Sequence, residues 1–130
     1  MLQKLVKDIM RHDILVTASP DTKLLDAIKK MANYNVGSVV VLENERIVGI
    51  LTERDVVKAL AKGISLEEKV ENVMTKNPIT ISYNEYINKA LFLMSENNIR
   101  HLPVVNKEGK LVGMISIRDI AKVRQEWLIE

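Results

Sequence analysis

The chain has 130 residues, of which 47% are hydrophobic and 28% charged, so it can bury one domain or two closely packed halves. It has no cysteine, which excludes disulfide and thiolate chemistry. The formal net charge is only +2, and Glu67, Glu68 and Glu71 sit among the lysines between Lys62 and Lys76. Such interspersed charge offers no concentrated footprint for nucleic acid, and 4% aromatic content leaves few platforms for stacking bases.

Taken in chain order, residues 1–8 alternate charged with apolar side chains and lack the apolar stretch of a signal peptide. The longest apolar runs, such as residues 37–42, are far too short to cross a bilayer. A cytoplasmic location with no membrane partner is therefore expected. Ser19-Pro20-Asp21 supplies turn and capping residues to a helix on which Leu24, Leu25, Ile28, Met31 and Ala32 share one face. Residues 38–43 and 46–51 read as two strands joined by Asn44-Glu45, an antiparallel hairpin. A helix then starts at Thr52, a good N-cap, with Arg54 and Asp55 in its first turn.

The same order returns. Ser82-Tyr83-Asn84-Glu85 precedes a helix carrying Ile87, Leu91 and Met94 on one face. Strands at 101–106 and 110–115 flank Lys107-Glu108-Gly109, and a last helix begins at Ser116 with Arg118 and Asp119 in its first turn. That helix extends the apolar stripe Ile120, Val123 and Trp127, which either packs on its own domain or covers a self-association surface.

The two halves match residue by residue. Residues 47–55 read Ile-Val-Gly-Ile-Leu-Thr-Glu-Arg-Asp and residues 111–119 read Leu-Val-Gly-Met-Ile-Ser-Ile-Arg-Asp. Ala27, Met31, Asn35 and Val41 find Ala90, Met94, Asn98 and Val104, and Met10 finds Met74. The chain is therefore expected to be two repeats, 1–64 and 65–130, each strand, helix, strand, strand, helix. A hairpin with one helix face cannot close a core alone, so the copies should pack on each other in an α+β fold.

The repeated helix start is where chemistry gathers. Unpaired N–H groups and the positive dipole end at Thr52 or Ser116 suit an anion, and a hydroxyl and an arginine add donors fitted to phosphate. An ionised Asp one turn on accepts hydrogen bonds only, which suits a ribose diol. Phosphate donors and a sugar acceptor within four residues describe a nucleotide site. His12 and His101 are the only histidines and lack metal-ligand spacing; no Ser lies in a Gly-x-Ser-x-Gly elbow. No metal, no catalytic residue set and no enzyme activity are expected. Met10, Met31, Met74, Met94 and Met114 fall on apolar periodic positions and are read as core.

With Asp8-Ile9-Met10, Asn72-Val73-Met74-Thr75, Leu102-Pro103-Val104-Val105 and the two Gly-x-x-Thr/Ser-x-x-Asp segments in order, the whole chain resembles a tandem pair of CBS domains. This is the regulatory module named after cystathionine β-synthase. The first copy departs at Val39-Val40-Val41, where the family usually has Pro. The resemblance implies two repeats in pseudo-two-fold symmetry, with each cleft taking its Asp from one copy and its base-contacting wall from the other. Thr52, Arg54 and Asp55 would then be completed by Thr75, Ile79, Ile99 and Arg100, with His101 alongside. Ser116, Arg118 and Asp119 would be completed by Arg11, Val16, Val36 and Gly37. Because Arg100-His101 falls to the first cleft and only small groups to the second, the Asp55 site is expected to dominate. The resemblance further implies an adenine nucleotide ligand, AMP foremost, a sensor role toward a regulated protein, and a flat homodimer. ATP, S-adenosylmethionine or NAD as ligand, nucleic-acid binding, and a purely dimerising module are the alternatives.

Overall fold

The computed structural model of the chain describes residues 4–129, with side chains through residue 123. Its elements are α1 (Val6–Ile9), β1 (Thr17–Ala18), α2 (Leu24–Tyr34), β2 (Ser38–Glu43), β3 (Arg46–Thr52) and α3 (Glu53–Ala61). There follow a 3-10 turn at Val70–Asn72, β4 (Thr75–Lys76), β5 (Ile81–Ser82), α4 (Ile87–Asn97), β6 (His101–Val105), β7 (Leu111–Ser116) and α5 (Ile117–Ile129). Both halves carry the expected strand, helix, strand, strand, helix order.

The compact units are cut differently from the sequence repeats. One unit is Val16–Pro78; the other joins Met1–Leu15 to Ile79–Glu130. Each is therefore the body of one repeat closed by the opening segment of the other.

In the Val16–Pro78 unit the sheet order is β1-β2-β3-β4, with β1 parallel to β2 and the other pairs antiparallel. Its core gathers Leu24, Ala27 and Met31 from α2, Val39, Val41 and Leu51 from the hairpin, Ala59 from α3 and Val70. Leu24, Ala27 and Met31 form the buried stripe of α2, while Ala32, expected on that face, is exposed. Ser19-Pro20-Asp21 does not cap α2: the N-cap position is Lys23, with no side-chain cap. The serine instead closes a local turn with Thr22, and the first helical N–H groups donate to the backbone carbonyls of Glu68 and Leu66 at 2.8 and 3.0 Å. A distant segment satisfies the orphan donors, so no side-chain cap is needed.

The other unit repeats this arrangement with β5-β6-β7, β5 parallel to β6 and β6 antiparallel to β7. Its core holds Ile87, Ala90 and Met94 of α4, Leu102, Val104 and Ile115 of the hairpin, Val6 of α1, and Ile120 of α5. Ser82 forms a turn with Asn84 and does not cap α4; the Ile87 N–H donates to the Lys4 carbonyl. Val6 donates to Glu85 O at 2.8 Å just as Val70 donates to Thr22 O at 2.8 Å. Ile120 is 2% exposed. The expected apolar stripe of the last helix therefore begins in the core of its own unit, Val123 is partly buried, and Trp127 lies outside the described side chains.

The departure at Val40 has a local effect. Val40 N–H donates to Val16 O at 3.1 Å, a bond that the imide nitrogen of Pro103, its counterpart on β6, cannot make. In each hairpin a bulge skips one residue of the second strand, Val48 or Val112, just before the glycine.

Candidate functional site

Each hairpin delivers its chain into a helix through one hydroxyl residue. Thr52 accepts the Asp55 N–H on Oγ1 at 3.2 Å, and Asp55 Oδ2 accepts from Thr52 N and Thr52 Oγ1, both at 3.0 Å. Ser116 and Asp119 repeat this, with the Asp119 N–H to Ser116 Oγ at 3.2 Å and both bonds to Asp119 Oδ2 at 2.9 Å. These are reciprocal capping boxes with Asp in the place of the usual Glu. They fix each carboxylate by one oxygen and leave Oδ1 as its outward acceptor.

The helix starts are less open to anions than the sequence suggests. Glu53 N–H donates to Gly37 O at 3.1 Å and Ile117 N–H to Arg100 O at 3.0 Å, while the third N–H of each helix is taken by the capping hydroxyl. These donors are spent on the protein, so an anion would rely more on side-chain cations than the sequence suggests.

The edge segment beside each helix start differs between units. In the Val16–Pro78 unit, Thr75 pairs with Ile50 and its hydroxyl donates to Asp55 Oδ1 at 3.1 Å. In the other, Arg11 pairs with Met114 and its Nε donates to Asp119 Oδ1 at 3.1 Å. The Arg11 side chain is 39% exposed and that of Asp119 10%. One carboxylate thus faces a neutral hydroxyl and the other a guanidinium. The contrast follows from Met10-Arg11 against Met74-Thr75, residues that correspond across the repeat.

Of the expected residues, the structure brings together Thr52, Asp55 and Thr75, and separately Arg11, Ser116 and Asp119. Arg54 and Arg118 are exposed in the first turns of α3 and α5. Val16, Val36 and Gly37 belong to the unit of Asp55, whereas Ile79, Ile99, Arg100 and His101 belong to the unit of Asp119. His101 is the register partner of Ser116, and the Arg100 carbonyl binds the first N–H of α5. Strand pairing inside one hairpin sets the residues before its first strand beside the helix after its second. The sequence reading missed two positioning residues, Met10 and Met74, which press on Gly113 and Gly49. Their matching positions were the available signal. Among the described residues, no three His, Cys, Asp or Glu side chains gather as a metal site, and no helix is long and apolar enough to cross a membrane.

Comparison with known proteins fits this geometry. The sequence model of the CBS domain matches twice, over residues 6–62 and 70–126. The chain is 41% identical over 104 residues to a 17.7 kDa protein of Acidianus ambivalens, covering 79% of this chain and 63% of that one. It is 37% identical over 123 residues to inosine-5'-monophosphate dehydrogenase of Methanocaldococcus jannaschii, covering 94% of this chain but 24% of the enzyme. It thus spans less than two thirds of the length of these curated relatives. Among solved structures, it superposes with TM-score 0.88 and 30% identity on the CBS domain pair of protein MJ0100 in complex with 5'-methylthioadenosine and S-adenosyl-L-methionine, covering 95% of this chain and 98% of that one. The CBS domain protein PAE2072 of Pyrobaculum aerophilum, complexed with AMP, gives TM-score 0.86 at 26% identity over 98% of this chain and 100% of that one. With the repeat, the fold and the matched segments in agreement, the chain belongs to the CBS domain family and is a tandem CBS pair.

Proposed function

We propose that this chain is a regulatory module that binds an adenine nucleotide, AMP first, through the outward carboxylate oxygens of Asp55 and Asp119. The observation that carries the reading is the twice-built acidic cap, in a chain similar to CBS pairs solved with AMP and with other adenosine compounds. Each Asp is held rigidly by one oxygen, so the other is a pre-oriented acceptor for a ribose diol. Arg54 and Arg118 stand in the same helical turns as donors for phosphate. The role is regulatory rather than catalytic: the hydroxyls beside Asp55 and Asp119 are committed to holding the carboxylates in place. Ligand favours one conformation of the module, and a regulated protein reads the difference.

S-adenosylmethionine or 5'-methylthioadenosine is the second reading, favoured by the MJ0100 complex. Melting curves with AMP, ADP, ATP, 5'-methylthioadenosine and S-adenosylmethionine test both. A ligand specific to the folded state, at a hundredfold excess over its dissociation constant, adds about 2.7 kcal/mol. No shift with any of the five at millimolar concentration removes the proposal. Cytoplasmic residence and a homodimer complete it, and sedimentation of the wild type against Trp127→Ala tests the dimer.

A further inference from the structure

We propose that Arg11 is an internal competitor for Asp119 and makes the Ser116 site select adenosine ligands that carry an anion over neutral nucleosides. The proposal rests on the reading of Asp119 as a ribose acceptor. Asp119 Oδ2 is committed to Ser116 N and Oγ, so a ribose hydroxyl must address Oδ1, the atom that Arg11 Nε holds at 3.1 Å. A neutral nucleoside that takes this oxygen displaces the guanidinium and returns it nothing. A nucleotide displaces it too, but supplies a phosphate to which the same planar fork can donate. The exchange gives the nucleotide one more charge-assisted hydrogen bond than the nucleoside, which leaves the guanidinium to solvent. Arg11 is 39% exposed, so its side chain has room to move away without unpacking the unit.

The other site lacks this filter, because Asp55 Oδ1 faces the Thr75 hydroxyl, a neutral group that can turn to accept from a ligand as readily as donate.

The test is calorimetry with adenosine and with AMP on the full chain carrying Asp55→Asn, which silences the other site. Adding Arg11→Gln should tighten adenosine about threefold to fivefold and weaken AMP by a similar factor, the scale of a partly exposed ion pair. The AMP-over-adenosine preference then falls about tenfold, while Arg11→Lys, which keeps the charge, keeps most of it. If Arg11→Gln moves both ligands in the same direction, or neither, the competitor role is overturned while the site stands. If Asp55→Asn with Asp119→Asn binds AMP as the wild type does, the ribose-acceptor reading itself fails, and the competitor role with it.

Discussion

Met74 lies over Gly49 so closely that a β-carbon on the glycine would stand 2.8 Å from the Met74 Cγ, and Met10 stands over Gly113 in the same way. Each methionine precedes the residue that contacts the site carboxylate, Thr75 or Arg11, so the thioether packing sets where that residue sits. Gly49→Ala should cost about 1–3 kcal/mol, the usual penalty for overpacking. The three nearest atoms all belong to the flexible Met74 side chain, so Met74→Ala should relieve most of that strain. At Gly113 the Arg11 carbonyl oxygen also lies 3.0 Å from the added carbon, and Met10→Ala should relieve less. Denaturant unfolding of the four variants and the two pairs measures this; equal relief at both glycines would contradict it.

The capping hydroxyls bear on stability apart from any ligand. Thr52→Ala and Ser116→Ala each remove an acceptor for a helical N–H and a donor to the carboxylate, at about 1–2 kcal/mol. Asp119→Ala should destabilise more than Asp55→Ala, because it also frees Arg11 from its ion pair. The order of the urea midpoints decides the point.

Two asparagines end the central helices in the left-handed region, Asn35 at φ 52° and Asn98 at φ 52°. That conformation costs most L-residues about 1 kcal/mol or more, asparagine less and glycine least. Asn35→Ala should lower stability by about 1 kcal/mol, with Asn35→Gly near neutral. Thermal unfolding that ranks the alanine variant at or above the glycine one would refute this account of the cap.

Glu68 anchors the segment that satisfies the start of α2, and its carboxyl is held below the ordinary carboxylate range. The Asn72 amide is the main cause, with the Lys69 N–H second. A lowered folded value means that the contribution is complete above the unfolded pKa and is lost as pH falls through the folded one. Asn72→Ala should therefore move the Glu68 midpoint upward in a carboxyl NMR titration. An unchanged midpoint would show that the amide is not the cause.

Much was determined by sequence alone, because it depends on neighbours within a turn or a hairpin. The spacing of Leu24, Ile28 and Met31, the short turn at Asn44-Glu45, and Thr52 three residues before Asp55 are local signals, and each produced the expected element. The recurrence of those signals was enough to identify the repeat and the family. What only the tertiary structure decided depends on where distant segments dock. The opening segment of each repeat closes the body of the other, so Arg11 meets Asp119 and Thr75 meets Asp55, pairings that the family resemblance implied and that residue spacing alone could not. The same docking supplies carbonyls to the starts of α2 and α4, where nearby serines look like caps. Hydrophobic periodicity says which face of an element is buried, and it carries no information about which of two equivalent bodies a segment buries it against. Ile120 shows the same limit: the spacing of a stripe is the same whether a residue on it covers a partner or, as Ile120 does, fills the core of its own unit.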